Sequence, residues 1–194
     1  MRIGVLGGTF DPIHIAHLLL AEQAREQLVL DKVLLIPAGD PWRKAGQDIT
    51  PAPLRLEMVR LAAAGNEYLE VDDREIRRTG ASYTVDTLQE LRAELSDDDD
   101  LFLLLGTDAL VDLPHWKEPE RFVDYAVVAV APREDEELPE SLPFDPAELE
   151  HIDLPYLEVS STDLRQRARH GRSLRYMVPE PVRAFIEERG LYLD

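Results

Sequence analysis

Residues 2–17 read Arg2-Ile3-Gly4-Val5-Leu6-Gly7-Gly8-Thr9-Phe10-Asp11-Pro12-Ile13-His14-Ile15-Ala16-His17, and this stretch decides the fold. Ile3–Leu6 is a short apolar run of the kind a strand needs when both its faces are covered. It breaks at Gly7-Gly8. From Ile15 to Leu28, Leu18, Leu19, Ala21, Ala24 and Leu28 recur at helical spacing. A buried strand, a glycine turn and a helix make the first half of a βαβ unit.

The alternation continues along the chain. Val33–Ile36 is a second buried strand, ended by Pro37. Helices follow at Leu54–Ala63, with Leu54, Met58, Leu61 and Ala62 on one face, and at Thr84–Leu95, with Leu88, Leu91 and Leu95. Leu101–Leu105 is uniformly apolar, as a central strand must be, and Ala126–Ala131 is a further strand. The tail offers helices at Thr162–Arg169 and Pro181–Glu188, the latter closed by Gly190. This order predicts an α/β fold: a Rossmann-like, doubly wound parallel sheet with a small C-terminal helical portion from about residue 160 to 194. With no internal repeat or linker, residues 1–194 are expected to form one domain. In such sheets ligands sit at the carboxyl ends of the strands, so the loops after Leu6, Ile36, Leu105 and Ala131 matter most.

Composition removes several function classes. The 194 residues carry 39 acidic and 21 basic side chains, a formal charge of −18. That opposes a broad basic face for polymeric nucleic acid, and it opposes residence on an anionic membrane. The absence of cysteine excludes disulfides, thiolate zinc sites and thiol catalysis. Without a signal segment or membrane-length apolar run, the expected location is the cytoplasm. Two segments concentrate the acid: Asp97–Asp100, and Arg133–Glu150 with eight carboxylates. Both read as solvated loops.

The loop after Leu6 carries the chemistry. Gly7 and Gly8 allow close approach of a ligand, and the following helix start offers unpaired N–H groups to phosphate. His14 and His17, three apart, project to one side of the first helical turn. One histidine here would read as a cap or surface residue. A pair after Gly-Gly suits phosphate binding and stabilisation of charge on phosphorus. A zinc site would need a third ligand, and none is evident nearby. The Walker spacing is absent.

The stretch Gly7–His17 resembles the nucleotidyltransferase superfamily signature, a Gly-rich turn followed by His-x-Gly-His. Its spelling Gly-Gly-Thr-Phe-Asp-Pro-Ile-His resembles the bacterial nicotinate-nucleotide adenylyltransferase family. Four later segments match the same family in order: Pro37–Lys44, Ser82–Leu88, Gly106–Leu110 with Trp116, and Val159–Arg165.

The resemblance implies transfer of AMP from ATP to nicotinate mononucleotide, giving nicotinate adenine dinucleotide and pyrophosphate in NAD biosynthesis. It implies catalytic roles for His14, His17 and Lys44, with His17 nearest the transferring centre. ATP would be bound by Gly7, Gly8, Thr9, Phe10, His14, His17, Gly106, Asp108, Ser160, Ser161, Thr162 and Arg165. The nicotinate nucleotide would meet Lys44, Tyr83, Thr84, Trp116 and Arg133. Mg²⁺ is expected as a companion of ATP, held by phosphate oxygens and water rather than by a protein metal site.

Read without the family, Ser160–Thr162 is an ordinary helix cap, Arg165 a surface arginine, Tyr83 and Trp116 core residues, and Asp108 a cap of the Ala109-Leu110 turn. The chain also departs from the family pattern. Ala16 replaces the glycine between the histidines, Trp42-Arg43 stands where Pro-His is common, and Pro132-Arg133-Glu134 replaces Arg-Pro-Gly. The last two leave open the roles of Arg43 and Arg133. Nicotinamide mononucleotide or phosphopantetheine adenylyltransferase, and a catalytically silent nucleotide-binding regulator, are the competing readings. A homo-oligomer is left open. The charge and the motifs together predict segregation, with carboxylates outside and a small positive hollow at the sheet's carboxyl edge.

Overall fold

The computed structural model describes residues 1–44, 46, 48–131, 142–155 and 157–193, without the side chain of Thr107. Strands β1 (Arg2–Gly8), β2 (Lys32–Pro37), β3 (Leu69–Val71), β4 (Asp100–Gly106), β5 (Val127–Ala131) and β6 (Glu150–His151) form one sheet in the order β3-β2-β1-β4-β5-β6. Every pairing is parallel. The chain winds outward from β1 to β3, returns to the centre at β4 and winds outward the other way. This reversal leaves a crevice between the carboxyl ends of β1 and β4, where ligands bind in doubly wound sheets.

Helices α1 (Ile15–Gln27), α2 (Ala52–Ala63), α6 (Ser161–Arg169) and α7 (Glu180–Arg189) cover one face; α4 (Thr84–Glu94) and α5 (Thr107–Asp112) cover the other, while the single turn α3 (Arg74–Arg77) follows β3. The side chains of β4 show why two covers are needed. Phe102 and Leu104 pack with Leu20, Ala24 and Leu164, whereas Leu101, Leu103 and Leu105 pack with Leu88, Leu91 and Phe122. The C-terminal helices share the first of these cores through Leu164, Ala168, Val182 and Ile186. α7 ends at Gly190, whose φ of +59° suits glycine.

Several expectations need revision. On α2 the buried face is Arg55, Leu56, Met58, Val59 and Ala63, while Leu54, Leu61 and Ala62 are only partly buried. The helix is therefore rotated by about one residue from the apolar pattern. β3, α3 and β6 were not legible. The acidic segment is not wholly a solvated loop either, because Phe144 and Leu149 enter the core and β6 pairs with β5. Residues 132–141, including Arg133, lie outside the described residues. The Asp97–Asp100 run is the exposed turn expected of it, in which Asp99 also accepts hydrogen bonds from Ser96 and from the N-terminal ammonium, and Asp100 begins β4. Among the described residues no helix is long and apolar enough to cross a membrane.

Candidate active site

A hollow of about 510 Å³ opens at the carboxyl ends of β1 and β4, within the range of small-molecule sites. It is lined by Gly7, Gly8, Thr9, His14, His17, Lys44, Tyr83, Thr84, Gly106, Asp108, Trp116, Ser160, Ser161 and Thr162. Residues from five separate segments of the sequence thus meet in one place. Phe10 and Arg165 do not line it. Phe10 is 2% exposed in the core, its backbone at φ +50°, and Arg165 is turned toward the loop behind the histidines. A separate groove beside α1, lined by Ile15, Leu18, Leu19 and Leu69, is almost entirely apolar. Its polar members Glu22 and Asn66 are hydrogen-bonded to each other at 3.0 Å.

The histidine pair is built by the start of α1. His14 is the N-cap residue, with extended backbone, and its N–H donates to His17 Nδ1 at 3.2 Å. An accepting Nδ1 places the proton of neutral His17 on Nε2, leaving that nitrogen as a donor. The two imidazoles stack with centroids 3.7 Å apart, and the Phe10 ring meets His17 edge-on at 5.0 Å. Gly8 is required for this arrangement, since a Cβ there would lie 2.8 Å from the Phe10 ring. Gly7 has no such neighbour and presents open backbone to the hollow.

Burial lowers the His14 pKa to about 4. Burial also holds His17 well below its ordinary value, with smaller contributions from His14 and from the Lys44 charge. Both rings are therefore neutral at pH 7. An anion between them would reverse the sign of this effect, because it favours the charged imidazolium. His14 Nδ1 is buried and has no hydrogen-bond partner among the described residues. Lys44 follows the same logic: burial, then Arg165 and Arg55, lower its pKa while Asp11 raises it. A cation made uncomfortable by other cations marks a positive local field.

Besides Arg165, that field has a source that no motif singles out. Arg55 is 1% exposed, and among the described residues its guanidinium donates to three backbone carbonyls: Thr50 at 2.8 Å, Thr9 at 2.7 Å and Gly39 at 3.2 Å. One side chain thus joins the loops after β1 and β2 to the start of α2. Its signal in the sequence was a charge in register with Met58 and Val59 on a helix face.

Other contacts fix the same loop. Asp11, 3% exposed, accepts from Thr50 N–H at 3.2 Å and from the Tyr192 hydroxyl at 2.7 Å. Arg165 donates to the Asp11 carbonyl at 2.8 Å and Ser161 to the Pro12 carbonyl at 2.9 Å. Ser160 caps α6 by accepting from Asp163 N–H at 3.1 Å. The Ser-Ser-Thr segment therefore shapes the histidine loop as well as facing the hollow.

At the far end aromatic faces gather. Tyr83 precedes α4, its ring 5.5 Å from that of Trp42 and beneath the Lys117 ammonium at 4.6 Å. Ser82 Oγ accepts from the N–H groups of Gly39 and Asp40, tying the Tyr83 segment to the loop after β2. Gly39 has no substitute here, for a Cβ would sit 2.1 Å from the Glu75 carbonyl oxygen. Glu75 itself lines the hollow, buried, and accepts from Thr87 Oγ1 at 2.7 Å.

A family model described as cytidylyltransferase-like matches residues 5–167. The chain belongs to that family. Within it, the chain is 48% identical to a probable nicotinate-nucleotide adenylyltransferase of Roseiflexus sp. (strain RS-1), over 98% of this chain and 97% of the relative. It is 46% identical to another so named from Exiguobacterium sibiricum, over 99% of both. The fold is also that of Plasmodium falciparum nicotinic acid mononucleotide adenylyltransferase, solved in complex with NaAD. There the TM-score is 0.79 at 18% identity, covering 98% of this chain and 97% of that one. These relatives place the chain among the nicotinate-nucleotide adenylyltransferases of the family, in agreement with its five motif segments. The two departures from the family spelling that can be located, Ala16 and Trp42-Arg43, both line the hollow.

Proposed function

We propose that the hollow transfers AMP from ATP to nicotinate mononucleotide, with the triphosphate on the Gly7–His17 loop and the pyridine ring at the Tyr83–Trp116 end. The observation that carries the reading is the stacked His14–His17 pair, neutral at pH 7 and set beside Lys44 and the buried Arg55. Such a site is poised to gain from a polyanion.

The nucleotide 5′-phosphate oxygen attacks the α-phosphorus in line. An O–P bond forms as the bond from the α-phosphorus to the bridging oxygen breaks, and pyrophosphate leaves with that electron pair. Catalysis is then positioning and charge stabilisation. His17 Nε2–H donates to the oxygens gathering charge, Lys44 neutralises phosphate, and His14 supports both from the helix start. Thr9 and the Gly7-Gly8 backbone seat the phosphates. Gly106 lets the nucleotide pass close to β4, and Asp108 accepts from ribose hydroxyls. Thr84 sits with Tyr83 near the nicotinate carboxylate, and Arg133 belongs to the same expectation.

Mg²⁺ fits as a metal that arrives on the triphosphate, where it offsets phosphate charge. Among the described residues no three His or acidic side chains converge to hold one, and of the lining acids Asp112 is already paired with Arg43. The cytoplasm as the place of action belongs to the same proposal.

The test is pyrophosphate release from ATP and nicotinate mononucleotide in the presence of Mg²⁺, with nicotinate adenine dinucleotide followed chromatographically. Equimolar formation of both products is expected. ATP binding without turnover would instead identify a silent regulator. A kcat/KM for nicotinamide mononucleotide equal to or above that for the nicotinate form would assign the carboxamide as substrate, since it wants an acceptor where the carboxylate wants donors.

A further inference from the structure

Asp112 ends α5, and its carboxylate faces two segments at once. Arg43, on the turn that carries Lys44, donates through Nε to Asp112 Oδ2 at 2.9 Å and through Nη2 to Oδ1. Trp116 Nε1 donates to the same Oδ2 at 3.2 Å. His115 Nδ1 lies 3.8 Å from Oδ1. Arg43, Asp112 and Trp116 all line the hollow.

The indole N–H is a single donor at the edge of a flat ring, so holding it sets the rotation of the whole plane. The guanidinium fork fixes the plane of the carboxylate in turn. Through Asp112 the Trp116 ring is therefore oriented by Arg43, which lies 69 positions from Asp112 on the turn that also delivers Lys44. The pair is half exposed, at 41% and 35%, so it adds little to global stability. Its effect is on geometry: the aromatic wall and the Lys44 turn are set before a ligand arrives. This gives Arg43 a place, and Asp112 was not singled out by any motif.

We propose that Asp112 is a positioning residue for the nicotinate nucleotide, orienting the Trp116 ring and, through Arg43, coupling it to the Lys44 turn. This rests on the reading of Trp116 as a wall of the pyridine subsite. The test is steady-state kinetics of Asp112→Ala, Asp112→Asn, Arg43→Ala and Trp116→Ala with both substrates, with Tm measured for each.

Asp112→Ala should raise KM for nicotinate mononucleotide about ten-fold, the scale of ordering one side chain on binding, with KM for ATP within two-fold and Tm nearly unchanged. Asp112→Asn keeps an acceptor for the indole N–H and should recover most of that loss. Arg43→Ala should fall between the two. A parallel rise in both KM values, a large fall in Tm, or equal damage from Ala and Asn would overturn the assignment. If Trp116→Ala raises the nicotinate mononucleotide KM and Asp112→Ala does not, the positioning role alone fails. If Trp116→Ala leaves that KM unchanged, the pyridine subsite itself is misplaced.

Discussion

Replacing Arg55 by methionine removes a charge and three hydrogen bonds while nearly preserving volume. Each charge-assisted bond to a carbonyl contributes about 1.5–3 kcal/mol net in isolation. The three act as a unit, and their sum is not additive. Against their loss stands the relieved desolvation of a buried guanidinium, whose hydrogen-bond partners among the described residues are backbone carbonyls and which the nearby Asp11 charge favours. The carbonyls of Thr9, Thr50 and Gly39 are left under-satisfied in a site 1% exposed. A net cost of roughly 3–5 kcal/mol follows, the range seen when one partner of a buried polar network is removed. At about 2–4 °C per kcal/mol for a chain of this length, Tm should fall by roughly 6–20 °C.

The assay is thermal and urea unfolding beside Arg77→Met, whose ion pair with Asp73 is on the surface and which should change stability by no more than about 0.5 kcal/mol. ATP affinity of the folded fraction should fall too, because the loop bearing Thr9 loses its anchor. An Arg55→Met protein within about 1 kcal/mol of the parent would refute the claim that one guanidinium joins three loops. Arg55→Lys keeps the charge but not the fork, and should recover less than half of the loss.

Three further outcomes are expected. Gly39→Ala places a methyl against a backbone carbonyl that cannot move alone, so it should cost about 1–3 kcal/mol or more and loosen the Tyr83 segment, read as a lower urea midpoint and a higher KM for the pyridine nucleotide. Tyr192→Phe deletes the hydroxyl that Asp11 accepts, costing about 1.5–3 kcal/mol; an unchanged Tm would mean the C-terminal tail does not secure the histidine loop.

The third outcome concerns pH. The His14 pKa near 4 lies below the ordinary 6.5, so between these values the unfolded chain binds more protons and stability falls as pH drops through the window. By the same sign, a bound triphosphate raises the His14 and His17 pKa values. ATP binding at pH 6 should therefore take up protons, seen by calorimetry in two buffers of different ionisation enthalpy, and no uptake would count against histidine–phosphate contact.

What was legible followed from period and length. β1, β2, β4 and β5 are apolar runs of four to six residues, and the tail helices carry caps and Gly190. β3 and β6 hold three and two residues, too few for any pattern to rise above the background, and both pair only because their neighbours are already in place. The α2 face differs from its apolar pattern because the buried side includes Arg55, a charge that hydrophobic spacing does not place inward. Its burial depends on carbonyls from loops that approach only in the folded chain. The motif segments supply many of the residues that line the hollow, but not the supports behind them. Asp11, Tyr192 and Asp112 act through partners distant in the chain, and no local spacing announces such pairs. Arg165, grouped with the anion site by its motif, donates to the Asp11 carbonyl. Around Lys44 the local field comes from Arg165 and Arg55 against Asp11, a balance that the net charge of −18 does not describe.

The central claim is that a neutral, stacked histidine pair becomes the charge-stabilising element of adenylyl transfer. Its most direct measurement is kcat for pyrophosphate release by His17→Ala at saturating ATP and nicotinate mononucleotide. A fall of about 10²–10³-fold is expected, the scale of losing one preorganised transition-state contact, with the fold intact by circular dichroism. A kcat within a few-fold of the parent would contradict it.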